Sequence, residues 1–352
     1  MKAVARVFYV LSLISMLISF SACDFSGKRK YTRVEFDYFD TASTVIGYER
    51  SEAEFEATCG IVFSRLEEYH KLYDIYNTYD GLINLCNINS LEGGEHKEYT
   101  VDPRITELLL FCRDMYELTG GEVNVAMGSV LSLWHECRTE GMRDPAAARV
   151  PTAEELASAA EHTDIASLQI DKESDTVYIS DPRVTLDVGA VAKGYATEMI
   201  ARELEEMGIS GYTLNIGGNV RTVGTKPDGE PWAVGAENPD TDAENPYIKI
   251  VSLSGEAFVT SGSYQRYYFV NGKKYHHIID KDTLCPAVGY QSVSVIADSS
   301  ALADALSTAL FASDIEWGME LLGQLDGVYA MWYTDSGEIY TSEGFERYTR
   351  LG

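Results

Sequence analysis

Asp187 and Lys193 fall within Leu186-Asp187-Val188-Gly189-Ala190-Val191-Ala192-Lys193-Gly194-Tyr195-Ala196-Thr197, the stretch around which the chain is organised. It opens apolar, carries one carboxylate, relaxes through Gly189 and small residues, and presents a lysine as a helical pattern begins. Met199, Ile200 and Leu204 share one face of that helix, with Arg202, Glu205 and Glu206 mostly on the other. A strand, a small-residue turn and a helix start leave amides unpaired and pointing outward, which suits an anion. Lys193 adds a positive charge on a flexible stem, suited to a phosphate. The same residues also describe an ordinary strand-to-helix turn with a solvated lysine, and the stretch alone does not separate the two.

Asp304 and Thr308 lie four apart in a helical run from Ala301 to Phe311, so their oxygens project from one face. A carboxylate with a hydroxyl is hard-oxygen chemistry, suited to magnesium and poorly suited to zinc. An Asp near a helix start is more commonly a cap or a dipole partner, but Ala301, Ala303, Ala305 and Ala309 around it would let another backbone come close. Asn215-Ile216-Gly217-Gly218-Asn219 reads either as a cradle for a phosphate or ribose or as a glycine turn between strands; it is not a dinucleotide-binding fingerprint. Thr260-Ser261-Gly262-Ser263-Tyr264 is equally an anion nest or a polar turn. Lys274 to Asp280 brings His276 and His277 together; in an extended segment they face opposite ways, so only one of them would enter a site, and a lone His is more often a structural hydrogen-bonder than a catalytic base. No Ser/His/Asp or Cys/His nucleophile elbow is present.

The elements that would position these groups mix strands and helices without strict alternation, which argues for an α+β fold with mixed or antiparallel sheets and packed helices. Val34 to Tyr48 reads as a strand and Ala53 to Tyr76 as an amphipathic helix carrying Phe55, Val62, Leu66, Tyr69 and Tyr73. Tyr79 to Gly94 is loop-like. Pro103 opens a helix to about Leu118, stopped by Thr119-Gly120-Gly121. An apolar run ends at Trp134, Gly141 to Pro151 is a connector, and Thr152 with Glu155 forms a capping box. Leu168–Ile170 and Thr176–Ile179 form a hairpin. Short strands follow between 212 and 297, with Asn271-Gly272 as a hairpin turn, then helices from Ala301 and Ile315 and a closing hairpin.

A length of 352 residues is enough to bury a sizeable core, and a net charge of -27 argues against nucleic acid as a partner. A phosphate ligand would need local basic groups or a metal to overcome that field. Lys2 and Arg6 precede an apolar segment, Val7 to Phe20, too short for a comfortable membrane span. Phe20-Ser21-Ala22-Cys23 resembles a bacterial lipobox, which implies cleavage before Cys23, a lipid on its thiol, and a body held at the extracytoplasmic face of the cell membrane. Ordinary secretory cleavage is the alternative. The expected organisation is a signal peptide over 1–22, a tether over 23–33 and one domain over 34–352. Cys59, Cys86, Cys112, Cys137 and Cys285 lack metal-type pairing and read mostly as small core residues.

Taken together, Leu186 to Ala196 resembles the signature of the ApbE family, the FAD:protein FMN transferases. Further blocks follow in the family's order: Asn215 to Asn219, Gly224 to Gly229, Thr260-Ser261-Gly262 with Tyr264, Arg266 and Tyr267, His277 to Asp280, and Ala303 to Ala309. The resemblance implies an ApbE-like, T-fold-related architecture. It also implies magnesium-dependent transfer of FMN from FAD, as substrate, to a Thr or Ser hydroxyl of an acceptor protein, releasing AMP. Some relatives instead hydrolyse FAD to FMN and AMP, and a flavin-binding lipoprotein without chemistry is a further alternative. By motif position, Asp187 and Lys193 are expected at FAD, and the main-chain oxygen of Ala190 with Asp304 and Thr308 at magnesium. Glu122, Val123 and Asn124 match a flavin-contacting segment in which Asn124 replaces an Asp. Phe39 is expected on a ring, Tyr73 or Tyr76 as a stacking tyrosine, His277 and Ile278 beside the nucleotide, and His277 as the base for the acceptor hydroxyl. The resemblance also implies an acceptor among extracytoplasmic redox-pump subunits.

Overall fold

The computed structural model describes residues 27–349; Cys23 and the expected signal peptide lie outside the described residues. An eight-stranded antiparallel sheet forms the frame, in the order β1-β2-β8-β9-β12-β15-β16-β17. These strands are β1 (Arg29–Tyr38), β2 (Thr41–Glu49), β8 (Tyr212–Ile216), β9 (Asn219–Val223), β12 (Ala257–Gly262), β15 (Tyr290–Ala297), β16 (Tyr329–Thr334) and β17 (Ile339–Thr341). Period-two alternation decides its faces. Val293 and Val295 of β15 point to the helix side, whereas Ile296 joins Val220, Trp232, Phe258 and Met331 on the other. That second face is covered by the hairpin of β10 (Trp232–Glu237) and β11 (Tyr247–Leu253).

Helices α1 (Glu52–Tyr73), α6 (Ala192–Glu206) and α7 (Ser300–Ala312) cover the first face, α1 over β1 and β2, and α6 and α7 against each other. Between α1 and α6 lie α2 (Leu85–Asn89), the two-residue strands β3 (Leu91–Glu92), β4 (Glu95–His96) and β5 (Tyr99–Thr100), α3 (Pro103–Leu118), α4 (Gly128–Arg143), α5 (Ala153–Ala160), and the hairpin β6 (Leu168–Asp171)–β7 (Thr176–Ile179). A satellite core joins Val130, Trp134 and Cys137 of α4 to Leu156 of α5 and to Tyr268 of the hairpin β13 (Tyr267–Val270)–β14 (Lys273–His276). Helix α8 (Ile315–Leu322) packs on β16. The α+β architecture matches the expectation.

Several local expectations need correction. Val34–Tyr48 is not one strand: β1 and β2 form a hairpin, turning at Phe39 and Asp40, both at φ 51°. A Phe with positive φ is a sterically costly conformation, and it is held by His70 Nδ1, which accepts the Phe39 N–H at 3.3 Å. β1 starts at Arg29, inside the stretch expected to be a tether, because Arg29 to Val34 are already in register with Glu49 to Thr44. Residues 128–143 form a full helix: Val130, Trp134, Cys137 and Gly141 recur at helical spacing and bury one face. Thr260-Ser261-Gly262 continues β12 and makes no nest, and Ser261 Oγ lies 2.8 Å from Ser307 Oγ on α7. The capping box at Thr152 and Glu155 is present. Cys59, Cys112 and Cys137 are buried and all five described cysteines are unpaired.

Candidate active site

The stretch from Leu186 to Thr197 is pinned before it turns. The Asn89 side chain acts as a backbone surrogate, accepting the Leu186 N–H at 2.7 Å and donating to the Leu186 carbonyl at 2.9 Å. The Asp187 N–H donates to Val125 O at 2.8 Å and the Gly128 N–H to Thr185 O at 3.0 Å, so segment 122–128 runs alongside. Asp187 Oδ1 then accepts the Gly189 N–H at 2.8 Å, closing the turn. Burial raises the Asp187 carboxyl above its ordinary range, against the pull of that amide and of His135, Arg266 and Arg138.

Gly194 is the third residue of α6, so its N–H is one of those at a helix start that have no intrahelical acceptor. It donates to Asp304 Oδ2 of α7 at 2.8 Å, and the carboxylate thereby caps α6 from the neighbouring helix. Ala190 lies in the turn before the helix. Gly194 permits the approach: a Cβ there would lie 2.3 Å from the Asp304 Cβ and 2.4 Å from Ser300 O. Asp304 is 4% exposed, and Lys193 Nζ stands 3.7 Å from its Oδ2. Burial raises this carboxyl too, opposed by Lys193, the Gly194 amide and the Asn219 amide. Asn219 Oδ1 is buried without a hydrogen-bond partner. Thr308, one turn on, donates to Asp304 O at 3.3 Å and lies 3.4 Å from Ser261 Oγ.

These donors fit a hard divalent cation. A buried carboxylate, a hydroxyl and an unpartnered amide oxygen are all oxygens, with no thiolate or imidazole among them.

His277 follows β14. Its Nδ1 faces Arg266 O at 3.2 Å, and a carbonyl only accepts, so Nδ1 carries the hydrogen and Nε2 keeps a lone pair. Burial, then Arg266, Arg138 and Lys193, push its pKa down from 6.5 to about 3, leaving the ring neutral. His276 faces the other way, bonded through Nε2 to Ala287 O at 2.8 Å, as the extended geometry predicts.

The remaining predicted residues divide between the cleft and the scaffold. Phe39 sits at the β1–β2 turn, where Arg266 Nη2 donates to its carbonyl at 3.3 Å. Tyr76 is 58% exposed, stacks on His135 at 5.1 Å and feels the charges of Asp187, Arg138 and Arg266. Tyr73 is 3% exposed and donates to Arg104 O at 3.2 Å, so it is a core residue, and Tyr76 is the exposed one of the two. Asp74 builds the loop that presents Tyr76. Burial alone would raise its carboxyl, but bonds from Asn77, Tyr76 and Tyr79 outweigh that and hold it low.

The side chains of segment 122–124 act as braces. Glu122 pairs with Lys281 at 3.2 Å, Val123 is buried, and Asn124 donates to Thr163 O at 2.8 Å. Ile278 is buried too, with its N–H given to His276 Nδ1 and its carbonyl accepting from Ala287. His135, Arg138 and Asn89 escape a reading that leaves 128–143 without a helix and 79–94 as a loop; Trp134 and Arg138, four apart, are the signal that could have found the α4 face.

The ApbE family model matches residues 36–332. The chain belongs to the ApbE family. It is 28% identical over 351 residues to the FAD:protein FMN transferase of Haemophilus influenzae, covering 96% of each chain. To the FAD:protein FMN transferase of Treponema pallidum it is 28% identical over 347 residues, covering 94% of this chain and 92% of that one. Among solved structures, the ApbE protein of Thermotoga maritima superposes with a TM-score of 0.79 at 27% identity, over 92% of this chain and all (100%) of that one. The apo flavinyl transferase ApbE of Pseudomonas stutzeri gives 0.76 at 26% identity, over 94% and 99%.

Proposed function

We propose that this chain is an FAD:protein FMN transferase that moves FMN from FAD to a Thr or Ser hydroxyl of an acceptor protein and releases AMP. The observation that carries the reading is the buried Asp304 carboxylate, held against the start of α6 by the Gly194 N–H, with Lys193 3.7 Å away and Thr308 one turn on. Ala190, Asp304 and Thr308 would hold Mg2+, which when bound neutralises charge on a pyrophosphate. Lys193 adds a cation from the same turn.

His277 Nε2, unprotonated because Nδ1 is committed to Arg266 O, takes the acceptor's hydroxyl proton. The hydroxyl oxygen forms a bond to the FMN phosphorus, the bridging P–O bond breaks, and AMP leaves with the bridging oxygen. Tyr76 and Phe39 offer ring surfaces at the mouth, and Asp187 an acceptor for nucleotide hydrogens.

Incubating the protein with FAD and Mg2+, with and without an acceptor peptide, tests this. AMP that appears only with acceptor, together with an increased peptide mass, supports transfer. AMP without acceptor indicates hydrolysis, and retained FAD without AMP indicates a binding protein.

The same proposal extends to the chain's address: lipid on Cys23, a body at the extracytoplasmic face, and acceptors among extracytoplasmic redox-pump subunits. Cys23→Ala should then release the protein from membranes.

A further inference from the structure

Arg138 on α4 and Arg266 at the head of β13 reach the same ground from two elements. Arg138 Nη2 lies 3.1 Å from His135 Nδ1, whose ring is stacked on Tyr76 at 5.1 Å. Arg266 Nη2 is anchored on Phe39 O at 3.3 Å, and the Arg266 carbonyl faces His277. Among the described residues, neither guanidinium has a carboxylate within the 4.0 Å of an ion pair. The acids acting on this ground are Asp187 and Asp40, and Asp187 is itself drawn toward its neutral form by burial. Burial, then Arg266, weakens the hold of Arg138 on its proton, and Arg138, Arg266 and Lys193 together disfavour a proton on His277. Three cations thus converge on one imidazole in a chain of net charge -27. Like charges held together in a partly buried place lack a compensating anion.

We propose that Arg138 and Arg266 form an anion subsite for the phosphate groups of the flavin nucleotide, beside Asp187 and next to the Tyr76–His135 stack. This rests on the flavin-nucleotide reading above. A pyrophosphate carries the paired negative charge that two guanidinium forks match, and each fork can donate twice to a phosphate. The subsite answers the requirement set by the acidic composition: the nucleotide enters a locally positive field although the chain as a whole repels it. Aromatic surface beside the cations would receive a ring of the same molecule.

The test is equilibrium binding of FAD, read from flavin fluorescence in EDTA over a series of salt concentrations, so that neither metal nor turnover contributes. Arg138→Gln and Arg266→Gln should each weaken FAD binding about tenfold, the scale of a lost charge-assisted hydrogen bond, and should flatten its salt dependence. Arg138→Lys, which keeps the charge but not the fork, should restore the salt dependence and only part of the affinity. Near-UV circular dichroism checks that each variant is folded. Gln variants that bind FAD as the unaltered protein does overturn the proposal, as does a loss of affinity that leaves the salt dependence unchanged. An unaltered protein that binds no FAD at all would instead end the nucleotide reading on which the subsite rests.

Discussion

The backbone N–H of Gly194 donates to the Asp304 carboxylate at 2.8 Å, joining the first turn of α6 to the middle of α7. That contact sets the helix spacing and holds the Asp304 carboxylate one turn from Thr308. Gly194→Ala would drive a Cβ to 2.3 Å from the Asp304 Cβ and 2.4 Å from the Ser300 carbonyl oxygen of the same helix. We expect a loss of about 1–3 kcal/mol, the usual cost of overpacking, and Mg2+-dependent activity reduced beyond what the stability loss explains. Urea unfolding alongside a magnesium titration would show it; a variant with unaltered stability contradicts the close approach.

A buried ion pair ties the same helices to the sheet. Glu198 Oε2 accepts from Arg221 Nε at 3.0 Å and from the Ser300 N–H at 2.7 Å, with Glu198 1% and Arg221 4% exposed. Glu198→Ala leaves Arg221 with Glu205, 3.1 Å away, as its remaining carboxylate partner and uncovers the start of α7. The expected cost is about 1.5–3 kcal/mol, the scale of lost hydrogen bonds to a charged group, measured by denaturant midpoint. A midpoint close to that of the unaltered protein would show that the pair holds nothing together.

His277 gives a pH signature. Its pKa falls from 6.5 to about 3 on folding, and burial lowers His276 as well. Between those values the unfolded chain binds more protons than the folded one, so stability rises with pH and is lost as pH falls below 6.5. Urea midpoints should drop on acidification, and His277→Ala should flatten that slope. The same variant should depress transfer while leaving FAD binding nearly intact. Transfer at the unaltered rate would remove His277 from the proton path.

Tyr73 and Tyr76 should separate cleanly. Tyr76→Ala removes an exposed ring at the cleft and should weaken FAD binding about tenfold or more, the scale of a lost aromatic stack. Tyr73→Phe loses only the hydroxyl bond to Arg104 O and should leave FAD affinity unchanged. Fluorescence titration of both variants decides, and unchanged FAD affinity in Tyr76→Ala would remove Tyr76 as the stacking ring.

Local signals carried far in this chain, and non-local ones did not. The helix at Pro103–Leu118 and the Thr152 capping box were legible because their signals sit within one or two turns of sequence. The sheet order, which puts β2 beside β8 and β9 beside β12, depends on contacts between distant segments that no periodicity reports. The turn at Phe39 was hidden because neither Phe39 nor Asp40 is a glycine, and tertiary bonds from His70 and Arg266 enforce their conformation. At the site, Asp187, Lys193 and Asp304 stood out by residue type and spacing. Asn89 and Arg138 did not, since an Asn in a loop or an Arg on a helix is ordinary until the fold brings it to Leu186 or His135.

The most direct measurement of the central claim is intact mass of a Thr-bearing acceptor protein after incubation with FAD, Mg2+ and this protein, with AMP quantified in the same tube. We predict an acceptor heavier by one FMN, less the water lost on esterification, with one AMP released for each acceptor modified, and neither product when Asp304→Ala replaces the unaltered protein. An unmodified acceptor, or full magnesium-dependent activity from Asp304→Ala, would contradict the account.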